Sequence, residues 1–316
     1  MSRRAALRLM LERRSGRVAA WLLSRPIGAG LPSPLRSLLL GSRVHRAVGA
    51  NDDATALADL HTLAERHGRH ELVHRLLFRR GFRPKDPASQ RRLLWGVAGH
   101  QVFHDSHRSY ALISLSYRSL KDGDSSQAAL LIPRIEAMAA ALENDPATLS
   151  CPLGNRRNRA KLLISSYATL VHLHLLVRDG DAVARIGARA LALAERMDYE
   201  QLPADVAYRL TTNLARSLGI AQLDAWRRQD DEGQRRALVA LEALRLETLN
   251  PRHGGSGAQE NHRRFVAGLL ESYATGSGEQ GSSPGLRPRL EPIQPERILN
   301  VATAELNERL AEFLSC

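Results

Sequence analysis

Apolar residues along this chain recur at steps of three and four, the period of an α-helix that turns one face to a core. The period of two expected of a half-buried strand is absent. Asn51 and Asp52 suit a helix start, Leu57, Leu60, Leu63 and Ala64 mark its inner face, and Gly68 closes it. Leu72, Val73, Leu76 and Leu77 mark another helix over 70–80, and a further one is expected over about 88–103. Tyr110, Ile113, Tyr117 and Leu120 then precede a Lys121-Asp122-Gly123-Asp124 turn and the stripe Leu131, Ile135, Met138 and Leu142. Tyr167, Leu170, His174 and Val177 precede Arg178-Asp179-Gly180-Asp181 and the stripe Ile186, Ala190, Leu193 and Met197. A third pair, over 205–249, turns at Asp230–Gly233 between Leu210, Leu214, Leu218, Leu223 and Leu238, Leu241, Leu244, Leu246.

The first two pairs echo one another. Ser109-Tyr110-Ala111 returns as Ser166-Tyr167-Ala168, and the two turn tetrapeptides return at the same separation. First-helix stripes superpose at an offset of 57 and second-helix stripes at 55, so the second turn is expected to be shorter by two residues. Each Asp-Gly pair fits a left-handed helix end followed by an aspartate that caps the next helix. A repeated unit of this kind points to an all-α fold of stacked antiparallel helical hairpins, an α-solenoid or irregular helical bundle.

Gly123-Asp124 with Ala128, the equivalent Gly180-Asp181 with Ala184 beside Arg185, and the run Ala190-Leu191-Ala192-Leu193 resemble the tetratricopeptide repeat over residues 105–250. The period of 57 exceeds that family's 34. The resemblance implies a protein-binding surface on the first helices, around Tyr110, Tyr117 and Tyr167, with the tyrosines themselves in the core.

Charge divides the chain. Residues 1–50 hold ten arginines against Glu12 alone, so nine of the net +12 lie in this arm and the remainder is almost neutral. Organisation then reads as a basic arm over 1–50, a hairpin body over 51–250, a Gly/Pro/Ser-rich linker with one short helix over 251–294, and an amphipathic helix over 295–316. The last helix carries Ile298, Val301, Ala302, Leu306, Leu310 and Phe313 on a face that should dock. Within the arm, residues 3–23 read as a helix able to lie on an anionic membrane surface. Its Arg- and Ser-rich, acid-poor composition also fits a mitochondrial targeting segment. Trp21 is the arm's only aromatic residue, which disfavours nucleic acid as a partner. No apolar run reaches the ~20 residues of a membrane span, and two cysteines without a CxxC suit the cytoplasm.

One motif declares chemistry. His70-Glu71-Leu72-Val73-His74 places two imidazoles at i and i+4 on one helix face, where they can grip Zn²⁺ while Glu71 acts as general base. It resembles the zinc metallopeptidase signature. His100 and His104 repeat the spacing, with His107 close by, and antiparallel packing would bring His70, His74, His100 and His104 to one metal. His172 and His174, two apart, face different sides. The expected function is a non-catalytic adaptor or accessory protein that binds another protein and needs no cofactor. The alternative is a zinc hydrolase.

Overall fold

A computed structural model describes residues 32–78, 86–145, 159–197, 204–249, 264 and 303–315. Among them are eleven helices and no strand, so the all-α expectation holds. The chain divides into two compact units, the first ending at Leu115 and the second beginning at Ser116. The helix expected over 3–23 and, apart from Arg264, the linker over 251–294 lie outside the described residues.

The first unit holds α1 (Ser33–Gly49), α2 (Asp53–Glu65), α3 (His70–Phe78) and α4 (Pro87–Gly99), and α2 packs on each of the other three. Leu40, Val44, Leu60, Leu63, Val73, Leu93 and Val97 form its interior. Asp59 is buried there at 2% exposure, and Arg43 answers it with a two-pronged pair whose Nε–Oδ2 arm is 2.6 Å. That hydrogen bond, more than the charge alone, holds the Arg43 guanidinium above its ordinary value against the opposing effect of burial. Asp86 caps α4, with Pro87 at the first helical position where its missing N–H costs nothing.

The second unit takes in the end of α5 (Asp105–Asp122), then α6 (Ser125–Glu143), α7 (Arg159–Leu176), α8 (Gly180–Ala194), α9 (Ala204–Arg227), α10 (Asp231–Leu249) and α11 (Ala304–Ser315). Sequence neighbours pack from α6 through to α10, and α7 also lies directly against α9. The backbones of α8 and α9 nearly touch. A Cβ on Gly187 would sit 3.0 Å from the Ala221 nitrogen and 3.1 Å from Ile220 Cγ2, so only glycine permits this approach.

Helices are joined by one recurring corner. Asn51, Gly123, Arg178 and Gln229 have φ of 59°, 64°, 62° and 58°. In each case the next residue is aspartate, and its N–H donates back to the carbonyl five residues earlier: Asp52 to Ala47, Asp124 to Ser119, Asp179 to His174, Asp230 to Ala225, at 2.8–2.9 Å. This is the six-to-one bond of a Schellman turn. The same aspartate's carboxylate then accepts from the backbone three residues on, at Thr55, Gln127, Ala182 and Gly233. One residue thus ends a helix and opens the next.

The corners correct the apparent equivalence of the two Asp-Gly pairs. In the first, Gly123 is left-handed and Asp124 caps; in the second, Arg178 is left-handed, Asp179 caps, and Gly180 is already helical. Equivalent corner residues are therefore 55 apart, the spacing of the second-helix stripes, and the two corners share one construction, so the second turn is not shortened as expected. The motif needs a left-handed residue immediately before its aspartate, and the matching tetrapeptides are read in different frames.

The C-terminal helix docks, as its apolar face anticipates. Leu306, Leu310 and Phe313 are buried, and α11 packs on α7 and α9. It runs past successive corners. Glu305 lies so close to Gly123 that a Cβ there would be 2.6 Å from its Oε2. Arg178 Nε is 3.7 Å from Glu312, and the Arg227 guanidinium stands 4.8 Å over the Phe313 ring. With α11 on one side and the second helices of the hairpins on others, every residue from Ser166 to Leu176 is buried.

That burial encloses two histidines. His172 donates from Nδ1 to the Ala168 carbonyl at 2.5 Å, and burial, aided by the Arg216 charge and opposed by that bond, lowers its pKa from 6.5 to about 4. Well above pH 6.5 neither folded nor unfolded chain protonates this ring, and its neutral form fits the core. Between pH 6.5 and 4 the unfolded chain takes the proton first, so stability falls with pH by about 3 kcal/mol. Urea unfolding at stepped pH should show this loss, and His172→Gln should flatten it. The corner geometry yields a second expectation. Gln229 is exposed and carries a left-handed backbone that glycine adopts without strain, so Gln229→Gly should raise stability by about 0.5–1 kcal/mol in thermal unfolding.

Candidate functional site

The histidines gather at the first unit's α3 and at the turn leading into α5. His70 is the first residue of α3 and His74 follows one turn later, so both imidazoles project from one side of that helix. His104 precedes α5, and its carbonyl accepts from the backbone of His107 at 2.8 Å and Arg108 at 3.1 Å, which fixes the first turn. His104 and His107 are therefore also one turn apart and share a face.

These two pairs meet. Ring centroids lie 3.8 Å apart for His70 and His104, 5.5 Å for His74 and His107, 5.9 Å for His104 and His107, and 6.5 Å for His70 and His107. His107 is buried at 2% exposure and His74 at 9%, whereas His70 and His104 are half-buried. The cluster thus has a closed floor and a rim that meets solvent. His100 takes no place in it; its ring stands 5.5 Å from His61, edge to face, with Phe103 packed against the same imidazole at 6.3 Å. Glu71 is exposed. Among the described residues, no three His, Cys, Asp or Glu side chains are placed as a ready metal-binding group.

His107 is the member that the HExxH spacing does not supply. The signal is a second short-range pair, His104 and His107 at i and i+3, which overlaps the more conspicuous His100 and His104 at i and i+4. The chain leaves α4 at Gly99 and opens α5 at Asp105, so His100 and His104 do not share a helix and their spacing carries no common face.

The three tyrosines fall in different environments. Tyr110 is half-buried, Tyr117 is exposed at 36%, and Tyr167 is buried at 1%. Tyr167 donates its hydroxyl to Glu143, and burial first, then this carboxylate, pushes the phenol well above its ordinary range. Arg189 donates to Glu143 at 2.8 Å and to Glu136 at 3.0 Å, with its guanidinium 5.3 Å over the Tyr167 ring. Burial pulls the Arg189 pKa down, but the two carboxylates outweigh it and the net shift is upward. His174 completes the group, 3.5 Å from Glu136 and 3.3 Å from Asp179. These contacts join α6, α7, α8 and the second corner, which makes the group a fastening inside the hairpin stack.

Large apolar side chains remain in solvent on the outer helices of the hairpins. Leu130 of α6 is 65% exposed, and Val239 and Leu246 of α10 are 70% and 57% exposed. Val239, Ala243 and Leu246 recur at i, i+4 and i+7, so they form one exposed stripe, with Arg235 and Arg236 one turn before it. No helix among the described residues is long and apolar enough to cross a membrane. Compared with protein families, curated proteins and solved structures, the chain matches none.

Proposed function

We propose that this chain is a non-catalytic helical-repeat adaptor or accessory protein, tetratricopeptide-like in construction, that binds another protein. The observation that carries the reading is the run of hairpins built on the same left-handed, aspartate-capped corner, with exposed apolar residues on their outer helices. Stacked hairpins of this kind expose long surfaces, and such surfaces recognise partners through a few apolar anchors within a polar surround. The burial of α7 moves the contact away from the first helices around Tyr167. It favours the outer faces of α6 and α10, where Leu130, Val239 and Leu246 have no structural reason to be apolar. We place the protein in the cytoplasm, with residues 3–23 available to an anionic membrane surface; the rival reading of the arm is mitochondrial targeting.

A second reading, a zinc hydrolase with His70 and His74 as ligands and Glu71 as base, draws on the meeting of His70 with His104 and on the exposure of Glu71 to solvent. It expects Glu71→Ala to abolish hydrolysis of unblocked and blocked peptides by the zinc-loaded chain; equal turnover by the variant rejects it.

For the adaptor, affinity purification from the native cells should recover a partner in fixed ratio with the wild-type chain. The double variant Val239→Glu, Leu246→Glu, its helicity unchanged by circular dichroism, should lose that partner at least about tenfold, the effect of removing one anchor worth 1.4 kcal/mol or more. Retention of every partner by that variant and by Leu130→Glu rejects the reading.

A further inference from the structure

We infer that His70, His74, His104 and His107 form a closed binding site for a late first-row divalent cation, Zn²⁺ in the first instance, which clasps α3 to the start of α5. Two imidazoles bound to one tetrahedral zinc at Zn–N distances of about 2.0–2.1 Å have ring centres about 5 Å apart. His74 and His107 at 5.5 Å, and His104 and His107 at 5.9 Å, already lie near that spacing, and His70 and His107 at 6.5 Å are little beyond it. His70 and His104, at 3.8 Å, stand closer than a shared ion allows. Loading the site therefore needs the imidazoles to turn about their side-chain bonds, and most of all for these two to part. The broad, soft torsion next to an imidazole makes such turning cheap, and the two rings that must move furthest are the half-buried ones.

The donor set selects the ligand. Four neutral imidazoles suit zinc, copper or nickel and do not suit magnesium or calcium, which require oxygen. Each helix supplies a pair one turn apart, at i and i+4 from α3 and at i and i+3 from α5, so two local pairs make one four-coordinate shell. The number of ligands also decides the role. Four protein ligands fill a tetrahedral zinc, whereas a catalytic zinc keeps a position for water. The site is a structural clasp, which sets it apart from the hydrolase reading, and it stands or falls independently of partner binding on α6 and α10.

The test uses the full chain, stripped with chelator and titrated with Zn²⁺ alone and with Co²⁺ as a spectroscopic substitute. One ion per chain, a visible Co²⁺ spectrum of tetrahedral type, and a Zn²⁺-dependent rise in melting temperature are expected. His70→Gln, His74→Gln, His104→Gln and His107→Gln should each weaken binding at least about tenfold, the loss that even outer-shell changes cause. His61→Gln and His100→Gln should bind as the wild type does. If a buried-site variant at His74 or His107 does not fold, the half-buried His70→Gln and His104→Gln decide the matter. Absence of saturable one-to-one binding overturns the inference, as does wild-type affinity in both His70→Gln and His104→Gln. An equal loss in His100→Gln overturns the assignment of the fourth ligand.

Discussion

The hinge of this architecture is a single carboxylate bound to a single backbone amide three residues ahead. At Asp52, Asp124, Asp179 and Asp230 that bond satisfies one of the four donors a helix start leaves open, while the aspartate's own N–H closes the preceding helix. Because both tasks fall to one residue, no loop separates the paired helices. The chain must reverse within two or three residues, and the angle between helices is set by local geometry. Side-chain packing then has only to fill a space already shaped. At Gly187 it fills it so closely that one helix backbone rests on another.

A fold made this way encloses α7. α7 is covered from several directions, and the polar groups it carries inward are met there: Tyr167 donates to Glu143, His172 reaches the carbonyl one turn back, and His174 lies 3.5 Å from Glu136 and 3.3 Å from Asp179. Buried polar groups are costly unless paired, so this network constrains which helices can be neighbours. The outer helices leave Leu130, Val239 and Leu246 in solvent, and it is to them that our proposal assigns recognition. The same division holds in the first unit, where Asp59 and Arg43 are consumed within the core and the histidine cluster retains a rim at the surface.

Much of the fold was legible in the sequence, because helical period and capping residues are local properties. The helices of all three expected pairs are present, but the second turn is not shorter by two residues: Gly123 and Asp124 separate α5 from α6, and Val177, Arg178 and Asp179 separate α7 from α8. The frame of the second corner was not legible, since Asp179-Gly180-Asp181 offers two candidate caps and only the backbone chooses Asp179. The histidine cluster was read in part. His70, His74 and His104 were visible as spaced pairs, but the break between α4 and α5 turns His100 aside and brings in His107, and a helix break depends on packing that spacing does not encode. Burial of Tyr167 against Glu143 and Arg189 is likewise a long-range outcome.

The helix Ala304–Ser315 carries a consequence for the order of events during synthesis. Its seat is assembled from the corners at Gly123, Arg178–Gly180 and Arg227, each formed by residues near one another in the chain. Its own contacts span a far greater sequence separation, and such contacts close slowly. Emerging from the ribosome after the hairpins, it meets a nearly finished surface. Leu306, Leu310 and Phe313 then act as a late lock, and until they arrive the nascent chain displays an apolar furrow across its turns.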